Sequence, residues 1–267
     1  MTGYPQPTSD EELLLRTSRL AWLKAPISFG TSARTQPCEI CSGQLKVIAD
    51  GHEIFCLCRL LEYEALCITR TAELSTPVAV DLPRLSEFQQ YGGSEWPSMQ
   101  RAIVKAGAIM ADPFDANWLT VMGGVGCGKT RLLQAIYADI KAYAVYIQAG
   151  DLNGMIHRSF GDRDTEDVVE ELVRIPVLLL DDWGAQGGAG SDTVAGLVTR
   201  ILDRRYIFGR QRPTVVSTNL NPTSLAVLNP RVADRILDIH LVDQCGITLP
   251  SFRRLGAKPL VVERRPK

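Results

Sequence analysis

The chain has 267 residues, 45% of them hydrophobic and 22% charged, enough for one large domain or a medium domain with a small companion. A packed globular core is expected. A formal net charge of −1 argues against a protein that coats nucleic acid by charge alone, though it leaves room for a local basic face. No apolar run approaches the roughly 18 residues of a membrane span, and the opening MTGYPQPTSDEELLLR lacks the charged-then-apolar order of an export signal. A cytoplasmic protein is expected, without membrane contact, and its seven cysteines then suggest metal or free thiols rather than disulfides.

Ser9-Asp10-Glu11-Glu12 is a capping box ahead of Leu13, Leu14 and Leu15, which predicts a helix to about Leu23 that stops before Pro26. Its apolar positions do not share one face, so it serves equally as a helix packed on its own domain or as a partner-binding helix. Cys38-x-x-Cys41 is followed after fourteen residues by Cys56-x-Cys58. Two cysteine pairs on opposite arms of a short hairpin can close a tetrahedral Zn–S₄ site. Gly43 and the Asp50-Gly51 dipeptide supply turn chemistry for the arms. Cys67 or His52 could stand in for one ligand. A region this small buries too little to fold unaided, so zinc would act as a staple and the knuckle as an interaction module. Residues 71–86, with two prolines and little periodicity, read as a linker. Ser94 to about Ala111 reads as a helix with Pro97 in its first turn.

The chain is organised around Gly123-Gly124-Val125-Gly126-Cys127-Gly128-Lys129-Thr130, which spells G-x-x-x-x-G-K-[ST]. Backbone N–H groups turned inward at such a loop make a nest for phosphate oxygens. Lys129 is suited to the β- and γ-phosphates of ATP, and Thr130 to Mg²⁺, with Arg131 opening the helix whose positive end lies under the anion. The flanks agree: Asn117–Met122 is an apolar strand leading in, and Arg131–Tyr137 is helical leading out. Cys127 reads as a small filler whose backbone matters more than its thiol.

Beyond the loop, strand and helix alternate. A helix is expected through about Tyr143, a strand over Ala144–Gln148, a polar helical stretch from Asp151 to Arg174, and a strand over Pro176–Asp182. A helix from Ser191 to Phe208 and a strand over Pro213–Asn219 follow. This order means a parallel sheet covered on both faces, with ligands at the carboxyl ends of the strands. Asp181 at such an end can hold Mg²⁺ through water, and Asp182 can orient or deprotonate the attacking water; the rival reading is a turn or N-cap carboxylate. Asn219 can meet the γ-phosphate or the water. Arg200, Arg204, Arg205, Arg210 and Arg212 form one basic cluster, open equally to phosphate contacts with nucleic acid or to a solvated face. Arg253, Arg254, Lys258, Arg264, Arg265 and Lys267 fill a tail that reads as solvated.

GGVGCGKTRLLQAI, VLLLDDWG, ILDRRY followed by RPTVVSTN, then RVADRI and PSFRR stand in an order that resembles the DnaC/DnaI-type helicase loaders, AAA+ ATPases related to the replication initiator DnaA; IstB-type transposition ATPases share nearly all of these motifs. The resemblance covers about Glu87 to Arg254. It implies an α/β fold, an AAA+ phosphate-loop sheet flanked by helices, with the Asn219 strand between the phosphate-loop strand and the Asp181 strand. It makes Asn219 a sensor residue beside the γ-phosphate and gives Arg235 the arginine-finger position, with Arg231 one turn earlier as a second candidate. Arg253 resembles a late nucleotide-sensing arginine. Only 32 residues follow Arg235, too few for the helical lid of most AAA+ proteins. The organisation so implied is a zinc-ribbon-like helicase-binding domain over 1–70, a linker over 71–86, the ATPase over 87–254 and a basic tail over 255–267. The function implied is ATP-dependent loading of a hexameric replicative helicase onto single-stranded DNA by a nucleotide-dependent homo-oligomer. The alternatives are an IstB-type ATPase on target DNA and a nucleotide-gated adaptor with little turnover. The C-x-C pair departs from the zinc pattern of the DnaI type, and Asp182 stands where many ATPases have Glu.

Overall fold

A computed structural model describes residues 46–49, 52–55, 57–78, 81–87, 96–154, 165–184 and 191–252, with side chains from residue 64 onward except at 191–193. The chain divides into two compact units, Met1–Arg70 and Thr71–Lys267. In the first, strands β1 (Lys46–Ala49) and β2 (His52–Phe55) form an antiparallel hairpin in which Ala49 faces His52 across the Asp50-Gly51 dipeptide. This is the hairpin the turn residues predict. Helix α1 follows (Leu57–Glu73). The expected helix over residues 9–23 and Cys38, Cys41 and Cys56 lie outside the described residues, as does the side chain of Cys58, and so does the basic tail from Arg253 onward.

The second unit is a five-stranded parallel sheet in the order β4-β5-β6-β3-β7. Its strands are β3 (Trp118–Gly123), β4 (Ala144–Gln148), β5 (Val177–Trp183), β6 (Thr214–Thr218) and β7 (Val242–Ile247). Strand β6 lies between β5 and β3, the insertion the family resemblance implies. The three central strands are buried almost throughout, because helices cover both faces. On one face, α2 (Trp96–Ala111) and α3 (Lys129–Ile140) pack Met99, Leu132, Leu133 and Ile136 against Leu119, Tyr146, Leu179 and Val215. On the other, Val198, Ile201 and Leu202 of α5 (Ser191–Tyr206) meet Ile147, Leu178 and Leu180. Helix α4 (Thr165–Arg174) packs beside α5, and the short helices α6 (Pro222–Leu228) and α7 (Pro230–Ile236) complete the unit. Asn221 and Asn229 cap the two short helices, each accepting a backbone N–H three residues on, with Pro in the first turn.

Three expectations change, and one strand is added. Helix α3 stops at Ile140, with a turn over residues 141–143 before β4. The stretch Asp151–Arg174 holds a 3₁₀ turn (Ala149–Asp151) and α4, with residues 155–164 outside those described. Strand β7 has no clear sequence signature: VDQCGI alternates imperfectly and carries a glycine, as an edge strand paired on one side tolerates. The supposed linker is docked. Thr76 N donates to Tyr146 O (2.8 Å), Gln148 N to Thr76 Oγ1 (3.0 Å) and Tyr146 N to Ser75 Oγ (3.1 Å), so the segment covers the free edge of β4. Arg84 pairs with Asp139 of α3 at 2.9 Å.

One buried cation ties these layers together. Arg205 of α5 is fully buried and meets no carboxylate among the described residues. Its guanidinium donates to six backbone carbonyls, those of Leu172, Val173, Ile175, Pro176, Arg212 and Pro213, and to Thr214 Oγ1. Burial, and then the nearby Arg212, hold its pKa well below the ordinary arginine value. The acceptors include orphan carbonyls at the C-terminus of α4, the negative pole of that helix.

Candidate nucleotide site

The loop between β3 and α3 has the shape its glycines permit. Gly126 and Gly128 take φ of +82° and +102°, the left-handed region that side chains rarely enter. At Gly126 a Cβ would also strike Ser251, because the chain beyond β7 folds over the loop and Phe252 N donates to Gly126 O (3.1 Å). Helix α3 begins at Lys129 without a side-chain cap, which leaves its first-turn N–H groups to an anion. Cys127 is buried in the core with Sγ 3.8 Å from Lys129 Nζ, in keeping with a filler whose backbone shapes the loop.

Lys129 is 6% exposed, and its ammonium donates to Gly123 O and Gly124 O (both 2.9 Å) and to Asn219 Oδ1 (2.7 Å). No carboxylate is among these acceptors. Asn219 then donates through Nδ2 to Asp182 Oδ1 at 2.7 Å. One amide thus joins the phosphate loop to the end of β5. Asp182 itself has φ +56°, unusual for a side-chain-bearing residue, and sits in a register shift between Leu180 and Trp183. Asp181, next to it, is fully buried and accepts from Tyr146 Oη (2.6 Å) and from Ser217 Oγ. Burial, then the charge of Asp181, pushes the Tyr146 phenol upward in pKa, so it stays a proton donor to that carboxylate.

The structure therefore gathers Lys129, Asn219, Asp182 and Asp181 at one edge of the sheet, with Gly123, Gly124, Val125, Gly126, Cys127, Gly128, Thr130 and Arg131 in or beside the loop. The donor set fits a nucleoside triphosphate: an ammonium held by neutral acceptors, and uncapped helix amides. It also fits Mg²⁺ through Thr130 and Asp181, since each Asp181 oxygen retains a second lone pair beyond its hydroxyl partner. Tyr146 and Ser217 went unnoticed in the sequence. They join the site only because β4 and β6 flank β5, which residue order alone does not disclose.

The candidate finger arginines have partners within the chain. A finger at Arg235 would face outward without an obvious partner, the rival being a pair with Asp234 or Asp238 on its own surface. Its Nε donates to Asp203 Oδ1 (3.2 Å), Nη1 donates to Asp234 Oδ2 (2.8 Å), and the guanidinium lies 4.3 Å from the centre of the Tyr206 ring. Arg231 shares the same Asp203, through Oδ2 at 2.6 Å, with 67% of its side chain exposed against 27% for Arg235. The finger position is thus held by an aspartate of α5, and Arg231 is the freer of the two candidates. Replacing Arg235 with alanine is expected to cost about 1–2 kcal/mol through lost ring stacking and a half-buried ion pair. Arg231→Ala is expected to cost about 0–0.5 kcal/mol, as an exposed pair should. Paired thermal melts check this; equal shifts for the two would contradict it.

The first basic cluster is also accounted for. Arg200 pairs with Glu166, Arg204 with Glu166 and Glu170, and Arg210 with Asp115 at 2.9 Å, while Arg205 is buried. Arg212 lies 5.4 Å from the centre of the Phe208 ring. With Arg200, Arg204 and Arg210 paired to carboxylates and Arg205 enclosed, the cluster does not form a free phosphate-binding stripe.

Residues 94–242 match the family described as the bacterial DnaA ATPase domain. The chromosomal replication initiator protein DnaA of Jannaschia sp. (strain CCS1) is 28% identical over 155 residues, which cover 53% of this chain and 32% of that protein. The chain thus spans about a third of the length of the curated relatives it matches. Among solved structures, AMPPCP-bound DnaA from Aquifex aeolicus is similar with a TM-score of 0.52 at 18% identity, over 64% of this chain and 51% of that one. A DnaC helicase loader is similar with a TM-score of 0.47 at 24% identity, over 62% of this chain and 96% of that one. No helix among the described residues is long and apolar enough to cross a membrane.

Proposed function

The chain belongs to the family of bacterial DnaA ATPase domains, and on that premise we propose that it is an ATP-hydrolysing loader of a hexameric replicative helicase. The observation that carries the ATPase part is the continuous path Lys129–Asn219–Asp182, which links a phosphate loop to a carboxylate at a strand end. An incoming γ-phosphate competes with the loop carbonyls and Asn219 for the Lys129 ammonium. Asn219, so released, is free to turn to the phosphate or to the attacking water. Asp182, freed of its amide partner, can accept that water's proton. Mg²⁺ held by Thr130 and Asp181 would neutralise charge on the phosphates as it develops. Arg231 or Arg235, once parted from Asp203, would reach a neighbouring subunit's phosphate, so assembly and hydrolysis are coupled; Arg253 is proposed as the late sensing arginine.

The loader assignment is supported by the order of motifs and by the cysteine pattern around β1 and β2. Zinc on Cys38, Cys41, Cys56 and Cys58 would organise residues 1–70 as the helicase-binding module, while residues 87–254 bind ATP and, as an oligomer, single-stranded DNA. The test is co-purification of the full chain with the replicative helicase of its host, with and without ATP, beside elemental analysis. One zinc per chain and ATP-dependent retention of helicase are expected, with both lost in a Cys38→Ser, Cys56→Ser double variant. Retention of duplex target DNA in place of helicase would replace this reading with the IstB type.

A further inference from the structure

The two carboxylates at the end of β5 are consecutive, yet they are held in different directions by two hydroxyls from the flanking strands. In the register of β5 and β6, Leu180 faces Val216 and Trp183 faces Thr218, so Asp181 and Asp182 together oppose Ser217 alone. That is a bulge, uncommon between parallel strands. A bulge leaves ladder groups without partners, and Ser217 supplies them. Its Oγ accepts from Asp182 N at 2.9 Å and donates to Asp181 Oδ1. Ser217 is 1% exposed, so water cannot replace it cheaply. With its amide tied there, Asp182 turns into the left-handed region and towards Asn219.

Asp181 is fixed from the other side. Gln148 of β4 faces Asp181, and Tyr146 lies two residues back on the same face of the sheet. The length of its phenol carries Oη to 2.6 Å from Asp181 Oδ2.

We propose that Tyr146 and Ser217 are positioning residues that assign the paired carboxylates to two tasks, Asp181 to the metal beside Thr130 and Asp182 to the water beside Asn219. The inference rests on the reading of Asp181 as a Mg²⁺ carboxylate. Both residues are 1% exposed, behind the carboxylates they hold. Their loss is felt only through the carboxylates, so it appears in the metal-dependent part of binding and in turnover, and not in the affinity for metal-free ATP. Tyr146→Phe removes one oxygen and keeps the ring that packs 6.3 Å from Tyr137.

The test uses the full chain with Tyr146→Phe, Ser217→Ala and Asp181→Asn. Calorimetric titration gives ATP affinity in EDTA and in Mg²⁺, and the ratio is the readout, with kcat measured alongside. Tyr146→Phe is expected to keep its affinity in EDTA and to lose about 10-fold of the gain conferred by Mg²⁺, the scale of one hydrogen bond to a charged group. Ser217→Ala should lose a similar share and in addition lower kcat, because it releases Asp182 as well; if it fails to fold, Tyr146→Phe carries the test. Unchanged Mg²⁺ dependence in Tyr146→Phe, while Asp181→Asn loses it, overturns the inference and leaves the ATPase reading standing. Unchanged Mg²⁺ dependence in Asp181→Asn overturns both.

Discussion

Lys129→Ala protein is expected to lose ATP binding by about 10²–10³-fold and to show no measurable hydrolysis. The ammonium is the one cation seen inside the loop, and its three protons already point at acceptors that a phosphate can displace. Charge-assisted bonds of this kind contribute about 1.5–3 kcal/mol each, so losing two of them accounts for the fall. The sequence alone suggests that such a variant keeps its fold untouched. The structure revises that: in the nucleotide-free chain the same ammonium pins Gly123, Gly124 and Asn219, at 6% exposure. A modest loss of stability, about 1–2 kcal/mol, is therefore expected along with the loss of ATP. Calorimetric titration at a temperature well below the melting point separates the two effects. Parent-like ATP affinity there would refute the nucleotide site itself.

What the sequence disclosed and what it withheld divide along a physical line. Phosphate-loop chemistry is local: glycines at positive φ, a lysine and a helix start lie within eight residues, and they were found from spelling alone. Buried parallel strands are also local, because a strand covered on both faces carries a continuous apolar run, as residues 177–180 of β5 do. Contacts fixed by strand order are not local. Tyr146 and Ser217 carry no spelling that marks them, since their role depends on β4 and β6 flanking β5. Charge was the least legible property. Arg200, Arg204, Arg205 and Arg210 look alike in one dimension, yet three pair with acidic neighbours and the fourth is the buried tie between layers. The Asp203 partner of Arg235 was hidden for the same reason, being 32 residues away in the chain and adjacent in space.

Arg205→Ala is expected to be the most destabilising single change in the ATPase unit. The variant takes the guanidinium from six carbonyls and the Thr214 hydroxyl; Pro213 O keeps Leu178 N and Arg212 O keeps the Thr214 hydroxyl, but Leu172, Val173, Ile175 and Pro176 lose this donor in a dry interior, and a cavity of side-chain size opens. Each buried carbonyl left without a donor costs about 1–3 kcal/mol, and a total of about 3–5 kcal/mol lowers the melting temperature by roughly 10–15 °C for a unit of this length. Lysine cannot substitute, because three protons on one nitrogen cannot serve acceptors that the planar guanidinium fork reaches together. Arg205→Lys should therefore melt between the parent and the alanine variant. The consequence reaches the site through strand register. The acceptors Pro176, Pro213 and Thr214 stand at the starting ends of β5 and β6, and the other ends of these strands deliver Asp181, Asp182, Ser217 and Asn219. If the tie sets that register, Arg205→Lys should lose turnover at temperatures where it is still folded, while retaining the loop that binds ATP. A melting temperature within about 2 °C of the parent for Arg205→Ala would show that the fold does not depend on the tie.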